Sequence, residues 1–527
     1  MKKKQISFFA YNIIYALVAL LIYNFYFWSE IKRTVPTQAL CLLFVLAFAL
    51  FMLMQMLIFW RRTTKVFSIL LVIANTLASY FIFSFHIVIN KTMLANVIDT
   101  NFFEATEWLG VSFWFYLIAF AVIPGWLIFK SDIQFPSVCK RLKAGLVLLL
   151  IIGMAAIPLR MHKTEVHIYL KEHFNLRYQL VPTGYTSAII SLGIARFKKV
   201  PVLDSEKGLV QKKYWKSDKK NLIVFVLGES VRDRNFGLSG YKRDTTAPLR
   251  PYIDDIFHFP ATESCGVVTR VSVPCMFSVY DRNSYKEQAI PYTTNALDIL
   301  HKNGWQMLWL DNELGCNKVC RNILTEYTCT SRDCVDQVLN DELRKKLSTF
   351  EKDAFVILHQ RGSHGPRYDL RVPPEHRKWS PYCERADYQN CSHEEIINVY
   401  DNSIYYTSFL LADLMKTLSD KTDEYNPILI YISDHGESLG EGNNWGHGGD
   451  FKTAPKEQTE VPFFVWMPQS TQKAFGFNRA CLKGKTKEKK SQDVIFHSLL
   501  GLVGITTDTY QPDLDIFSGC HFLPDES

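Results

Sequence analysis

Charge is scarce in the first 160 residues, which contain 14 Lys/Arg and 5 Asp/Glu. None of these charged side chains lies inside the first four long apolar stretches, where His86 is the only histidine. Proton-coupled transporters usually carry several ionisable residues within their spans, so this scarcity argues against a transport pathway. We interpret the apolar stretches as a membrane anchor or a base that meets lipids.

The remaining residues lack an excess of positive charge. The whole chain has a formal net charge of +7, but residues 1–160 account for +9, so residues 161–527 carry −2. A nucleic-acid-binding protein would present a basic surface outside its anchor, and none is indicated here. Repeats and low-complexity tracts are also missing.

Five apolar stretches in this first part are long enough to span a bilayer. The basic residues cluster before the first stretch, between the second and third, and between the fourth and fifth, so those segments are predicted to be cytoplasmic. The N-terminus is then cytoplasmic and everything after Arg160 is external. The first stretch is too long for the apolar core of a signal peptide, so we expect it to be retained. The predicted spans are Phe8–Trp28, Ala39–Trp60, Val66–Ile89, Trp108–Phe129 and Leu142–Leu159.

Cysteine is also unevenly distributed. Only Cys41 and Cys139 precede residue 160, and the other ten of the twelve follow it. Closely spaced pairs in an external domain are most simply disulfides; a zinc site is the competing interpretation, but the pairs lack nearby finger-type histidines. The expected pairs are Cys265/Cys275, Cys316/Cys320, Cys329/Cys334 and Cys383/Cys391, with Cys481/Cys520 as a further candidate.

Strand and helix signals alternate after the membrane part, which predicts an α/β domain with a largely parallel sheet. We divide the chain into a five-span membrane domain (1–160), membrane-surface helices and a linker (161–220), and an external α/β domain (221–527). Several apolar runs of strand length end in polar residues. In such sheets ligands collect beyond the carboxyl ends of the strands, so these polar residues are expected at one rim.

The strand ends and the loop after the last of them supply a set of ligand-type side chains. Carboxylate and imidazole groups, with room for an oxygen nucleophile, are the ligands of a catalytic zinc site. From the residues alone the nucleophile stays open among Thr262, Ser264, Thr269 and Ser272. The candidate ligands and acid/base groups are Glu229, His364, Asp434, His435, Glu437 and His447.

Seven motifs, in order along nearly the whole chain, resemble the phosphoethanolamine transferases of Gram-negative bacteria, a family that includes mobile colistin-resistance enzymes. They are GES (228–230), NFGLSGY (235–241), SCGVVTRVSVPCMFS (264–278), GSHGP (362–366), NVYDNSI (398–404), SDHGES (433–438) and WGHGG (445–449). The resemblance implies a helical membrane domain with an alkaline-phosphatase/sulfatase-like periplasmic domain. It also implies an inner-membrane enzyme that uses zinc and phosphatidylethanolamine, modifies lipid A or the lipopolysaccharide core, and confers polymyxin resistance.

Site roles follow from the same resemblance. Thr269 would be the nucleophile that becomes modified with phosphoethanolamine, braced by the Cys265/Cys275 loop. Lys318 stands one position away from the lysine that the family places between two cysteines, so its substrate contact is in doubt. The principal zinc would be held by Glu229, Thr269, Asp434 and His435, and the phosphate or a second zinc by His364 and His447 with support from Glu437.

Two other functions fit parts of the sequence. An enzyme of the same fold could hydrolyse phosphates, transfer glycerophosphate, or act on another periplasmic glycan; the cysteine pairs argue against the glycerophosphate branch. A catalytically silent scaffold or transporter is disfavoured by the complete ligand set. The acceptor, the number of zinc ions and the resting state of Thr269 stay open, and we expect a monomer in contact with membrane lipids.

Overall fold

The computed structural model describes residues 5–33, 35–87, 89–100, 102–160, 178–198, 200–213, 215, 217–313, 315–328 and 334–521. The chain forms two compact units. One, the helical unit, comprises Met1–Ile98 and Leu109–Ile194; the other, the α/β unit, comprises Asp99–Trp108 and Ala195–Ser527. Most of the predicted membrane-surface segment, at residues 161–177, lies outside the described residues.

The helical unit contains four described helices that are long and apolar enough to cross a membrane, or five spans if a bent pair counts as one. Their outward faces are apolar, as expected for helices that contact lipid. Shorter helices cover Lys91–Asp99 and, partly within this unit, Thr183–Phe197. The four helices are Thr37–Ile58, Thr64–Phe85, Val111–Lys130 and Val138–Leu159, and the bent pair is Phe8–Leu21 with Phe25–Ile31.

The first predicted span differs in shape from a straight helix, because it bends by 59° between Leu21 and Phe25. Asn24 lies at the bend and is buried. Its side-chain amide donates to the carbonyl of Ala19 at 2.9 Å and to that of Val181 at 2.8 Å, and its side-chain oxygen accepts from the Val181 amide at 2.7 Å. These bonds compete with the helix's own ladder, and such insertion kinks helices.

The described strands are numbered in chain order. They are β1 (Gln5–Ser7), β2 (Asp132–Gln134), β3 (Val210–Gln211), β4 (Lys220–Gly228), β5 (Ile256–Glu263), β6 (Gln306–Asp311), β7 (Leu324–Tyr327), β8 (Ala354–His359), β9 (Tyr425–Ser433), β10 (Ser438–Leu439), β11 (Trp445–Gly446), β12 (Glu460–Trp466) and β13 (Ile505–Thr506).

Seven of these strands form the central sheet, in the order β5-β12-β9-β4-β8-β6-β7. The pairs from β9 to β7 are parallel, and β12 runs antiparallel to both β9 and β5. Strands β8 and β9 are buried along their whole length, which explains their continuous Val, Ile and Leu content. The predicted fold class is confirmed: apolar helices precede an α/β unit with a largely parallel sheet.

Several helices of the α/β unit contact this sheet. The longest begins after Ser392, whose side chain and that of Glu395 form a reciprocal capping box. The helices are Phe102–Glu107, Thr269–Met276, Ala296–Lys302, Gln337–Lys346, His393–Ser419, Lys456–Thr459, Gln469–Ala474, Arg479–Lys485 and Val494–Leu502.

Disulfides join most of the expected cysteine pairs. Cys334 is also disulfide-bonded, and Cys329, its expected partner, lies outside the described residues. Cys41 and Cys139 are free thiols in the helical unit. The described bridges are Cys265–Cys275, Cys316–Cys320, Cys383–Cys391 and Cys481–Cys520.

Candidate active site

Three neighbouring parallel strands deliver polar residues to one rim of the sheet. Glu229 follows β4, the segment with His364 follows β8, and Asp434 and His435 follow β9. In the sheet register Gly228 pairs with Ser433, so the residues after β4 and β9 leave the sheet side by side. The apolar runs of these strands end at the rim. Buried carboxylates and imidazoles need hydrogen-bond or metal partners, and the groups that meet at the rim can supply them.

Thr269 begins the helix Thr269–Met276 and points at this rim. Its hydroxyl Oγ1 lies 3.0 Å from Glu229 Oε2 and 3.4 Å from His435 Nε2. The same His435 nitrogen lies 3.2 Å from Asp434 Oδ2. Of the four hydroxyls that the sequence left open as nucleophiles, the structure therefore brings Thr269 into contact with two of the predicted ligand residues.

The other three hydroxyls have different surroundings. Thr262 Oγ1 donates to the Phe259 carbonyl within β5, and Ser264 Oγ donates to the Gly266 carbonyl. Ser272 is fully buried, one turn further along the helix that Thr269 begins. Among the described contacts none of the three touches Glu229 or His435.

Glu229, Asp434 and His435 fit a divalent cation. One donor atom from each lies within 4.8 Å of the others. His435 Nδ1 lies 2.9 Å from the Gly436 carbonyl, which can only accept, so Nδ1 carries the proton and the Nε2 lone pair faces the carboxylates. Asp434 Oδ2 is buried and has no hydrogen-bond partner among the described residues.

The pKa shifts of these side chains also favour a bound cation. Burial and then the neighbouring Asp434 charge raise the pKa of Glu229 well above its ordinary value. Burial lowers the pKa of His435. Two adjacent buried carboxylates repel each other, and a cation between them would remove that cost. The donor set of two carboxylates and one imidazole is suited to zinc.

A second group of side chains lies next to the first. His447 Nδ1 is 2.7 Å from Glu437 Oε2, and the hydroxyl of Tyr368 donates to Glu437 Oε1 at 2.7 Å. The ring of His447 is 4.2 Å from that of His435 and 5.3 Å from that of His364, centroid to centroid. The structure thus gathers all the predicted histidines of the site around one small volume.

The backbone carbonyl of His364 accepts a hydrogen bond from one member of a buried ion pair. Arg371 Nε donates to the His364 carbonyl at 2.9 Å, and its two terminal nitrogens reach the Glu107 carboxylate at 2.5 and 3.3 Å. Glu107 belongs to the segment Asp99–Trp108, which groups with the α/β unit although apolar helices precede and follow it. Burial and then the charges of His447 and Arg371 lower the pKa of His364, which keeps its imidazole neutral.

Gln492 helps to position the candidate site, and the sequence analysis did not predict it. Its amide nitrogen donates to the carbonyls of Ser433 and Asp434, each at 2.7 Å, and its oxygen accepts from the Cys265 amide at 2.6 Å. One side chain thereby connects the end of β9 to the loop that leads to Thr269. Arg371, Glu107 and Tyr368 were missed as well, and no local motif marks any of them.

Lys318 is not part of either group. It lies in the Cys316–Cys320 loop, in a left-handed backbone conformation with φ of 74°, and lines a cavity together with Arg270. The described contacts connect it to none of the six predicted ligand and acid/base residues.

Known proteins resemble the chain over nearly its full length. A family model described as "Phosphoethanolamine transferase EptA/EptB" matches residues 43–196, and one described as "Sulfatase" matches residues 221–505. The phosphoethanolamine transferase EptA of Escherichia coli (strain K12) is 31% identical over 99% of this chain and 98% of its own. The phosphatidylethanolamine transferase Mcr-1 of Escherichia coli is 29% identical over 92% of this chain and 93% of its own.

The structure also resembles a solved one. The integral membrane protein lipooligosaccharide phosphoethanolamine transferase A (EptA) from Neisseria meningitidis superposes with a TM-score of 0.93 and is 28% identical in sequence. The match covers 99% of this chain and 100% of that one.

Proposed function

Since this chain belongs to the phosphoethanolamine transferase family, we propose that it transfers phosphoethanolamine from phosphatidylethanolamine to lipid A or the lipopolysaccharide core. The transfer passes through a phosphoethanolamine ester on Thr269. The observation that carries the proposal is the position of the Thr269 hydroxyl, 3.0 Å from Glu229 and 3.4 Å from His435, within a three-residue donor set that fits zinc.

The reaction has two halves, and each exchanges one phosphorus–oxygen bond for another. In the first, Thr269 Oγ1 gives up its proton and bonds to the phosphorus of the donor, while the bond to the diacylglycerol oxygen breaks. That oxygen takes a proton and leaves as diacylglycerol. In the second, an acceptor oxygen bonds to the same phosphorus, the bond to Thr269 breaks, and the threonine hydroxyl is restored.

Glu229, Asp434 and His435 would hold the zinc. When bound there, zinc supplies Lewis-acid chemistry, which lowers the pKa of a nearby hydroxyl and neutralises charge on phosphoryl oxygens. Glu229 Oε2 accepts the hydrogen bond of the Thr269 hydroxyl. The lone pairs of Thr269 Oγ1 are therefore directed away from the carboxylate. Thr269 is the first residue of its helix, so the positive end of the helix dipole would face a phosphoryl group bonded to the threonine oxygen.

The second group, which contains Glu437, His447 and His364, would transfer protons at the leaving oxygen. Glu437 accepts from His447 Nδ1, fixes the ring's orientation and stabilises its protonated form. His447 can therefore give a proton to the leaving oxygen through Nε2 in the first half and take one from the acceptor in the second. His364, held neutral, donates or accepts at the phosphate, or binds a second zinc.

The apolar helices support a multi-pass protein of the inner membrane. The basic segments before the first span, between the second and third, and between the fourth and fifth favour an N-terminus in the cytoplasm and an α/β unit in the periplasm. A lipid donor must meet a site at the membrane, which such an anchor provides. If the acceptor is a lipid A phosphate, the added ethanolamine cation weakens the binding of cationic peptides and so confers polymyxin resistance.

Mass spectrometry of lipid A and core oligosaccharide tests the proposal. The host would express the wild type, Thr269→Ala, or Thr269→Ser, a matched control that keeps a hydroxyl at the same position. We expect a mass gain of one phosphoethanolamine with the wild type, a smaller gain with Thr269→Ser, and none with Thr269→Ala.

The fraction that gains mass identifies the acceptor. A gain on lipid A supports the polymyxin-resistance branch, and a gain only on the core keeps the mechanism with another substrate. Glycerophosphate released from phosphatidylglycerol, with phosphatidylethanolamine left intact, would instead identify a glycerophosphotransferase and overturn the proposal.

A further inference from the structure

A lysine-rich segment adjoins the chain that leads to Thr269. Residues 483–490 contain five lysines and one glutamate, a balance of +4, although residues 161–527 as a whole carry −2. The carbonyl of Lys490 accepts a hydrogen bond from the amide of Glu263 at 2.9 Å. Glu263 is the last residue of β5 and precedes Thr269 by six positions. The backbone therefore fixes this segment beside the loop of the candidate nucleophile.

The exposed lysines of the segment are weakly paired. Lys483 and Lys487 are exposed, and neither makes an ion pair with a described residue. The Lys489 side chain is 66% exposed, and its ionic contact among the described residues is to Glu460 at 3.9 Å. Exposed pairs of this kind contribute little, so these lysines leave a positive surface that faces solvent.

Arg282 is an independent sign that this surface binds an anion. Its guanidinium lies over the ring of Phe451, with Cζ 4.2 Å from the ring centroid, and makes no hydrogen bond or ion pair with a described residue. A guanidinium binds phosphate in two-pronged fashion, and this one is partly exposed to solvent. Burial lowers the pKa of Arg282, and neighbouring acidic side chains offset only part of that effect. A bound anion would favour the charged form and remove this cost.

Arg282 lies between the lysine-rich segment and the loop of His447. Its backbone amide donates to Asp493 Oδ1 at 2.8 Å, and Ser491 Oγ donates to Asp493 Oδ2 at 3.0 Å. Ser491 directly follows the lysine-rich segment, and Phe451 follows His447 by four positions. The arginine and the lysines thus belong to one surface beside the candidate site.

We propose that this basic surface, formed by Arg282, Lys483, Lys487 and Lys489, binds the phosphate groups of the acceptor and holds the acceptor near Thr269. The inference rests on the proposed function and deepens it, because it gives the acceptor a docking surface of its own. Phosphatidylethanolamine is zwitterionic and has no net charge, whereas diphosphoryl lipid A is a polyanion. A cluster of cations therefore attracts the acceptor and not the donor.

Two kinds of variant test the surface in the purified full-length chain, in a neutral detergent. Lys483→Gln/Lys487→Gln/Lys489→Gln removes three exposed charges, and Arg282→Met removes the guanidinium. Fluorescent phosphatidylethanolamine without acceptor reports the first half-reaction through diacylglycerol release. Diphosphoryl lipid A, added afterwards, reports the second half-reaction.

The variants should impair the second half-reaction through the KM for lipid A. In dilute salt the triple lysine variant should lower kcat/KM by about three- to tenfold, the range for a few exposed charges. At about 0.5 M NaCl this difference from the wild type should vanish, because salt screens exposed charges. Arg282→Met should lower kcat/KM by about tenfold, the usual effect of removing one charged hydrogen-bond partner, and Arg282→Lys should restore part of the loss. Diacylglycerol release should stay within about twofold of the wild type in each variant.

Lys219→Gln/Lys352→Gln/Lys416→Gln is the matched control. It removes the same number of exposed lysines at the opposite ends of the strands that form the site. Lys219 and Lys352 lie just before β4 and β8, and Lys416 lies in the last turn of the helix that precedes β9. This control should change neither half-reaction.

Equilibrium binding of diphosphoryl lipid A to Thr269→Ala chains, with and without the three lysine changes, measures docking without turnover. We expect weaker binding when the lysines are replaced. Unchanged affinity would overturn the surface and leave the proposed function intact. Failure of the wild type to form an ester on Thr269 would overturn the proposed function, while the binding assay still judges the surface.

Three kinetic outcomes would also overturn the surface. One is that the triple lysine variant slows diacylglycerol release as much as transfer to lipid A. Another is that its loss persists at high salt, which would show that the lysines do not act through their charge. The third is a loss that appears only in membranes containing phosphatidylglycerol, which would assign the lysines to an anionic bilayer instead of the acceptor.

Discussion

The Glu107 carboxylate lies 2.5 Å from the guanidinium of Arg371, and each side chain is only 3% exposed. The two residues are 264 positions apart in the chain. Arg371 also donates to the carbonyl of His364, so the pair fixes the backbone of a candidate site residue. Glu107 is therefore a positioning residue that comes from the segment Asp99–Trp108.

Glu107→Gln should leave a buried guanidinium without its counter-charge. Breaking one partner of a buried pair costs about 3–5 kcal/mol, so we expect a lower Tm and a fall in transfer activity of about tenfold or more. The double variant Glu107→Gln/Arg371→Met removes the unpaired charge and should regain stability without regaining activity, because methionine at position 371 cannot donate to the His364 carbonyl. Thermal unfolding in detergent and transfer per folded chain measure the two effects. Wild-type activity in Glu107→Gln would contradict the positioning role.

A second prediction concerns Gln492, which is not one of the predicted ligand residues. Gln492→Met keeps the volume but loses the three bonds that join Asp434, Ser433 and Cys265. Each buried partner left unpaired costs about 1–3 kcal/mol, and the Thr269 loop is no longer connected to the proposed metal ligands. We expect lower kcat with little change in KM for phosphatidylethanolamine. Gln472→Met, a buried glutamine at the far side of β12, is the matched control and should keep its kcat. Equal kcat in both variants would show that Gln492 does not position the Thr269 loop.

The rim of the sheet was predictable because its signals are local. Glu229, Asp434 and His435 each follow an apolar run of strand length, and β4 and β9 lie side by side with those residues at their ends. The choice of Thr269 among four hydroxyls needed the resemblance to a family. Residue types alone do not show which hydroxyl faces the carboxylates, and the contact to Glu229 spans 40 positions.

Long-range polar contacts explain what the sequence did not reveal. Gln492 and the Glu107–Arg371 pair act through partners dozens to hundreds of positions away, and nothing in their neighbouring residues marks them. The bend in the first span has the same origin, since Asn24 bonds to the backbone of Val181 at a separation of 157. Apolar patterning predicts which segments are buried, but it does not specify which buried polar group each one meets.

Metal analysis provides a third prediction. The wild type should carry about one zinc per chain at the donor set, as tetrahedral sites with protein ligands do. Asp434→Asn should lose most of it, because a neutral amide replaces the carboxylate whose Oδ2 accepts no hydrogen bond from the described residues. Glu437→Gln, in the neighbouring group, should retain that zinc. Inductively coupled plasma mass spectrometry measures the content independently of activity. Full zinc in Asp434→Asn would remove Asp434 from the ligand set.

Stability should depend on pH through Asp515, which has no part in the proposed chemistry. Burial raises the pKa of this carboxyl from 3.8 to about 7, against bonds from Tyr510 and the Phe517 amide. The folded state then binds more protons than the unfolded state between these values, so the free energy of unfolding falls as pH rises from about 4 to about 7. At 1.36 kcal/mol per pKa unit, the loss reaches about 4 kcal/mol above pH 7. Asp515→Asn keeps a polar partner for Tyr510 and cannot ionise, so its Tm should exceed that of the wild type at pH 8 and approach it at pH 4. Parallel pH profiles for the two proteins would show that Asp515 titrates normally in the folded state.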